Sequence, residues 1–334
     1  MIIPDGRTPQ QRTQNAPRSG PPNSHASDTI SCGLSQTRAT HLASAPWWEI
    51  EFIPDAFLKA LVRRTVPRPL RNWLRSPSKS AEWMWDTARF SLGVASTLKI
   101  SPVVRIAMHP HAYKVACKAQ IAEPEESAEF QNFLSYCGAK MFLFDVGAHY
   151  GLFSLAAAHF GGKAVAVDPS AMAIRMIVRQ IALNHAGDKI RTLQAAVSDT
   201  SGELQMLSSG VFSEGYFKLA AGRSSSELTK VRAVSVDEMT SEFGVPTHIK
   251  IDVEGHEAAA LRGGRETFTR HKPTLFLELH NQMVAADGGD PNAALNELQR
   301  LGYAPFSYAG DLLDRPAIFG KPITRLVARR VSDS

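Results

Sequence analysis

Past residue 140 the apolar positions repeat as strand, turn and helix. Met141 to Phe144 is a short apolar run, and a glycine-bearing turn follows it. Leu152 to Phe160 reads as a helix that Gly161-Gly162 stops. Lys163 to Val167 is a second strand, ended by Asp168-Pro169. Ser170 caps a helix whose Ile174, Ile177, Val178 and Ile181 form one face, and Gly187 closes it. Ile190 to Val197 is a third strand. His248 to Ile251 and Thr274 to Leu277 are two more, with a short helix around Ala258 to Leu261 between them. Pro291 to Arg300 is a last helix, with Leu295 and Leu298 on one side. Strands alternating with helices predict a doubly wound, mainly parallel α/β sheet covered on both faces. Residues 200–240 break the rhythm: Gly202, Gly210, Gly215 and Gly222 punctuate short β-like pieces, which predicts an inserted hairpin or lid.

The chain before residue 140 reads differently. Residues 1–45 are rich in Ser, Thr, Pro, Gly, Gln and Asn. Such a segment buries too little apolar surface to offset its ordering entropy, so it is expected to be a disordered tail. From Trp47 the composition changes, and Phe57, Leu58, Leu61 and Val62 recur at helical spacing. Arg63, Arg64, Arg68, Arg71 and Arg75 follow, then a second helical stretch with Trp83, Met84, Trp85 and Phe90. The predicted organisation is a tail (1–45), a helical extension (46–135) and an α/β domain (136–325). The arginines fit a solvated helix face, with peripheral membrane contact as the alternative.

Charge and composition narrow the class. The net charge of +5 is uneven: residues 1–105 hold 14 Lys and Arg against 7 Asp and Glu, and the remainder holds 23 against 25. A nucleic-acid enzyme would spread basic charge over its active face, so no nucleic-acid partner is expected. The three cysteines, Cys32, Cys117 and Cys137, are scattered without a CxxC pair. They give neither a zinc site nor a disulfide framework. Met1 to Gln11 lacks the apolar core of a secretory signal, and no apolar run reaches the ~18 residues of a membrane span. The expectation is a cytoplasmic protein.

The sharpest chemical signal is Phe144-Asp145-Val146-Gly147-Ala148-His149-Tyr150-Gly151, between a strand and a helix. In open α/β sheets ligands lie beyond the carboxyl ends of the strands. Gly147 allows a tight turn and Gly151 a close approach to the helix start. The spacing is GxxxG, so the GxGxxG pyrophosphate fingerprint is absent. Asp145 would repel a pyrophosphate and suits a ligand with an ammonium group. Asp168, 17 residues beyond Gly151, ends the second strand, where a carboxylate accepts ribose hydroxyls or caps the next helix. A sugar-binding acid with no pyrophosphate loop describes a nucleoside without phosphates, and S-adenosylmethionine fits that description.

A second constellation is Ile249-Lys250-Ile251-Asp252-Val253-Glu254-Gly255-His256-Glu257. Asp252 ends the fourth strand, and in a continuing strand Asp252 and Glu254 would share a face. Glu278 and His280 repeat that spacing at the end of the next strand. These groups are expected to line the mouth of one cleft. The plainer alternatives are that Glu254 or Glu257 caps a helix and that His280 is a satisfied loop histidine. Asp199 reads as a turn residue ahead of Gly202.

Asp145-Val146-Gly147-Ala148 to Gly151, Ala196-Val197-Ser198-Asp199, Ile251-Asp252-Val253-Glu254-Gly255-His256-Glu257 and Leu277-Glu278-Leu279-His280 together resemble the FkbM-like methyltransferase family, in that family's order, over residues 140–282. His149 departs from the family's common Asn, and either side chain can hydrogen-bond a ligand carboxylate. The resemblance implies a class I, Rossmann-like fold, S-adenosylmethionine as cofactor and O-methylation of a sugar, glycan, glycolipid or natural-product hydroxyl. Asp145, Gly147, His149, Gly151, Asp168 and Asp252 are then expected to bind the cofactor. An alcohol needs help to lose its proton, and Glu254, Glu278 and His280 are the candidates. No metal ligand is assigned, although a divalent cation such as magnesium held by the carboxylates remains open. No Asn/Asp-Pro-Pro-aromatic motif follows the fourth strand, which favours oxygen over exocyclic nitrogen. The alternatives are an inactive scaffold of the same fold and a nicotinamide oxidoreductase, which the missing GxGxxG disfavours.

Overall fold

The computed structural model of the protein describes residues 79–117, 124–208, 217–219 and 228–330. The expected tail, the helical stretch at Phe57 to Val62 and the arginines from Arg63 to Arg75 lie outside the described residues. The chain runs through α1 (Lys79–Ser91), β1 (Ser96–Lys99), β2 (Arg105–Met108), α2 (Pro110–Val115) and α3 (Pro124–Tyr136). The core alternation follows with β3 (Phe142–Val146), α4 (Leu152–His159), β4 (Lys163–Asp168), α5 (Ala171–Leu183) and β5 (Ile190–Gln194). After β6 (Ala196–Val197), β7 (Gly202–Ser208), β8 (Phe217–Leu219) and β9 (Leu228–Val234) come α6 (Val236–Phe243) and β10 (His248–Ile251). The chain continues through α7 (Glu257–Arg262), α8 (Arg265–His271), β11 (Thr274–Leu279) and α9 (Asn281–Ala286). It closes with α10 (Asn292–Arg300), β12 (Tyr303–Phe306), α11 (Arg315–Phe319) and β13 (Thr324–Arg330).

Seven strands form one sheet in the order β12-β13-β11-β10-β3-β4-β5. The pairs from β11 through β5 are parallel, and β13 runs antiparallel to both its neighbours. The chain moves outward from β3 through β4 to β5, then restarts on the other side with β10. The order therefore reverses between β3 and β10, and a crevice opens beyond the carboxyl ends of those strands. Strand interiors such as Leu143, Val165, Ile249 and Leu277 are buried because helices cover both faces.

Three local outcomes differ from the sequence expectations. The expected strand from Ile190 to Val197 is two strands. β5 stays in the large sheet, while β6 leaves it to pair with β9 in a four-stranded sheet ordered β6-β9-β7-β8. That sheet is the insertion expected within 200–240; its central β7-β9 pair is antiparallel from Gly202↔Ala233 to Leu207↔Leu228. Residues 46–135 contain more than helices: β1 and β2 form an antiparallel ribbon, too short at four residues each to be distinguished by periodicity from helix. Cys137 is free, whereas Cys117 is disulfide-bonded, which the scattered spacing did not foretell.

The extension shares its core with the sheet. Leu98, Ile106, Phe130 and Phe133 belong to one buried cluster with Leu143, Leu155, Ile177 and Phe276. Phe133 meets the rings of Phe153 on α4 and Phe276 on β11 edge-on, at 4.9 and 5.3 Å between centroids. Aromatic pairs in this arrangement add roughly 0.5–1.5 kcal/mol beyond area burial. α3 is thus fixed against the large sheet, which puts its acidic residues next to β11 and β13. Among the described residues no helix is long and apolar enough to cross a membrane.

Candidate functional site

The turn after β3 is set by the protein's own backbone. Gly147 has φ +80°, and a Cβ there would stand 1.8 Å from the carbonyl oxygen of Asp252. Its amide and that of Ala148 donate to Val167 O at 2.9 Å, while the Asp252 amide donates to Val146 O at 3.0 Å. The ends of β4, β3 and β10 are therefore laced together around a residue that must lack a side chain. Gly151, at φ +71°, starts α4 with Ile177 of α5 only 3.1 Å from where its Cβ would be. Both glycines are accounted for by packing before any ligand is considered.

The acids on this side are satisfied locally. Asp145, buried in β3, accepts from the Ser154 hydroxyl at 2.7 Å and the Ser154 amide at 3.1 Å, tying α4 to the strand. Burial pushes its carboxyl upward against the pull of Lys250 and Ser154. Asp168 Oδ1 accepts the Ser170 amide at 2.8 Å, and Oδ2 accepts the His149 amide at 2.9 Å, with His149 at φ +51°. Burial raises Asp168 to about 7, against those two backbone bonds. Each of its oxygens keeps a further lone pair, so the residue still suits ribose hydroxyls. Ser170 caps α5 as expected, its hydroxyl accepting the Ala173 amide at 3.3 Å.

Across the crevice the second constellation converges as expected, though not by strand alternation. β10 ends at Ile251, and the chain then turns through Glu254 at φ +52° and Gly255 at φ +95°. The shared-face argument for Asp252 and Glu254 therefore fails, yet both still approach one histidine. His280 Nε2 lies 3.8 Å from Asp252 Oδ1 and 3.6 Å from both Glu254 Oε2 and Glu278 Oε1. On its other side, Nδ1 is 2.8 Å from Oε1 of the buried Glu257. That same oxygen accepts the Gly255 amide at 2.9 Å, so Glu257 serves both the turn and the imidazole. Burial works against a charge on His280, but Glu257, then Asp252 and Glu254, raise it to about 9.

Four partners carried no assigned role in the sequence. Lys250, fully inside β10, donates to Asp252 Oδ2 at 2.9 Å and lies over the Phe153 ring. Burial would strip its proton, yet Asp252, Glu129, Glu278 and Asp145 hold its pKa well above the usual range. Burial would raise Asp252, but Lys250 and then His280 outweigh it and hold the carboxyl low. Arg325 of β13 clasps Glu278 with two bonds, at 2.7 and 3.1 Å, and reaches Glu126 at 3.1 Å. Glu129 of α3 lies 3.5 Å from the same guanidinium. Burial, then Asp252 and Glu129, push Glu278 upward against Lys250 and Arg325. A lysine between two isoleucines in a core strand was a readable signal, because unpaired lysines are almost never buried. Glu257 stood in the motif as a possible helix cap, and nothing local marked Arg325 or Glu129. Asp199 does more than turn the chain: Arg262 of α7 donates to it at 2.7 and 2.9 Å.

The sheet order, the lone antiparallel β13 and the glycine turn at the reversal point define a Rossmann-like domain of the class I methyltransferase type. Residues 145–305 match the family description "Methyltransferase FkbM domain", a methyltransferase family that takes S-adenosylmethionine as cofactor. No curated protein matches the chain. Among solved structures it is similar to a methyltransferase FkbM from Methylobacillus flagellatus KT, at 15% identity and a TM-score of 0.42, over 81% of this chain and 60% of that one. It is also similar to a precorrin-6y C5,15-methyltransferase from Geobacter metallireducens GS-15, at 11% identity and a TM-score of 0.37, over 64% of this chain and 92% of that one. A geranyl diphosphate methyltransferase in complex with SAM matches at 12% identity and a TM-score of 0.37, over 70% and 93% of the two chains.

Proposed function

We propose that the chain transfers the methyl group of S-adenosylmethionine to a hydroxyl of a sugar, glycan, glycolipid or natural-product acceptor. The observation that carries this reading is the convergence of Asp252, Glu254 and Glu278 on His280 across the crevice from the glycine turn and Asp168. The sulfonium, when bound, supplies a methyl group that is already activated. The chain is left with alignment and with removal of the hydroxyl proton. Asp145, Gly147, His149, Gly151, Asp168 and Asp252 form the donor side, with Asp168 accepting from the ribose. Glu254 and Glu278 take the acceptor proton; the raised Glu278 is the better matched base near neutral pH. His280, held charged by Glu257, counters the negative charge that develops on the acceptor oxygen.

The test is a panel of hydroxyl-bearing sugars, glycolipids and natural products incubated with isotope-labelled methyl donor and read by mass spectrometry. One panel member is expected to gain a single methyl group. Glu278→Gln is expected to lose about 10²–10⁴ in turnover while still binding donor in calorimetry. Donor binding with no methyl gained by any hydroxyl would favour an inactive scaffold.

A further inference from the structure

The contacts around His280 have a gap at their centre. Its Nε2 faces three carboxylate oxygens at 3.6–3.8 Å, too far for hydrogen bonds and on the side away from Glu257. Ligand atoms of Asp252, Glu278 and His280 all lie within 4.8 Å of one another. An ion with bonds of about 2.0–2.2 Å sets its ligand atoms about 3 Å apart at right angles and about 4.3 Å apart when opposed. The separations of 3.6–3.8 Å from His280 Nε2 lie between those two limits. We propose that Asp252, Glu278 and His280 are ligands of a divalent transition-metal ion, with Glu254 at the rim.

Two of the ligands are already oriented from behind. Glu257 holds His280 Nδ1 and Lys250 holds the far oxygen of Asp252, while Arg325 holds Glu278 by both oxygens, Oε1 included. A carboxylate on the second nitrogen of a metal-bound histidine is the usual supporting arrangement. An independent observation comes from α3. Glu129 is 2% exposed, and its Oε1 has no hydrogen-bond partner among the described residues. Its other oxygen lies 3.5 Å from Arg325, and Lys250 and Asp252 are the charges that act on it most. The buried Tyr308 hydroxyl is also without a partner there, and Glu129 and Glu278 are the charges nearest to it in effect. Unsatisfied polar atoms of this kind call for a further ligand or solvent species.

Charge balance points the same way. Among the described residues, Asp252, Glu257, Glu278 and Glu129 face Lys250, Arg325 and His280. A cation at His280 Nε2 takes the place of a proton there and offsets the surplus of buried negative charge. One imidazole with two or three carboxylates suits manganese, iron or zinc better than magnesium or calcium, which favour all-oxygen sites. What the ion does rests on the methyl-transfer reading: in place of the charged imidazole it would hold the acceptor hydroxyl oxygen as a further ligand and ease loss of its proton, with Glu254 at the rim to take it. That the ion binds does not rest on that reading.

The test is titration of the full-length, chelator-treated chain with Mn²⁺ alone, followed by electron paramagnetic resonance without donor or acceptor. One ion per chain is expected to leave the free-ion signal. Asp252→Asn and His280→Gln are each expected to weaken binding at least about 10-fold, with cooperative melting by circular dichroism confirming that each variant folds. Absence of stoichiometric binding in the parent overturns the proposal, as does unchanged affinity in either folded variant. A separate donor titration keeps failure of this inference distinct from failure of the methyl-transfer reading.

Discussion

Two groups of buried acids face one another across the crevice, and they are stabilised in opposite ways. Asp145 and Asp168 take their hydrogen bonds from close in sequence: Ser154 nine residues on, Ser170 two residues on and His149 nineteen back. Asp252 has Lys250 two residues back, but Glu278 and His280 depend on side chains brought from afar. Arg325, 47 positions on, holds Glu278 and reaches Glu126, 199 positions before it, and Glu257 holds His280 from 23 positions back. The first, the proposed donor side, is a local motif that folds with its own turn. The second, the proposed acceptor side, is a charge network completed only when α3, β10, β11 and β13 have all docked. A local motif tolerates change elsewhere in the chain. A distributed network loses balance when any one member is removed.

The comparison breaks most completely at Gly147, where the two sides touch. Gly147→Val places a branched side chain at positive φ against the Asp252 carbonyl. It is expected to cost about 5 kcal/mol, beyond the usual range for one substitution, and to leave little folded protein in urea denaturation. The sequence reading assigned this glycine to the cofactor; the structure shows that the strands need it first.

A smaller effect should fall on the acceptor side alone. Arg325→Met leaves Glu278 and Glu129 buried beside each other without their shared cation. The loss is expected to be about 3–5 kcal/mol by chemical denaturation, the range for breaking a buried pair from one side. If the network is dispensable, the variant melts like the parent and the contrast between the two sides disappears.

The smallest effect sharpens the donor side. Asp168 has a folded value of about 7, above its ordinary 3.8, so the folded chain holds a proton that the unfolded chain gives up. Its contribution to stability is full below the unfolded value and is lost as pH rises through about 7. Donor binding should run the other way, because only the ionised carboxylate has all its lone pairs for ribose hydroxyls. Calorimetry is expected to show affinity rising as pH passes about 7 and losing that rise in Asp168→Asn, which binds weaker by roughly 1.5–3 kcal/mol. A flat profile in the parent would remove Asp168 from the donor side.

The sequence by itself determined the alternating α/β sheet, the glycine turn after Phe144, the cap at Ser170 and the insertion near residues 200–240. Each of these is written in neighbouring residues, through apolar periodicity, a helix-start side chain or clustered glycines. The motifs from Asp252 to Glu257 and from Glu278 to His280 were legible as well, although the reason for their meeting was not. Strand alternation does not bring them together; a turn at Glu254 and Gly255 does. Only the tertiary structure decided that Arg325 balances those acids and that Glu129 arrives from the extension. It also decided that the strand after Ile190 divides between two sheets. The physical reason is range: hydrogen bonds within a turn are fixed by spacing, whereas compensation of buried charge depends on which distant elements pack side by side.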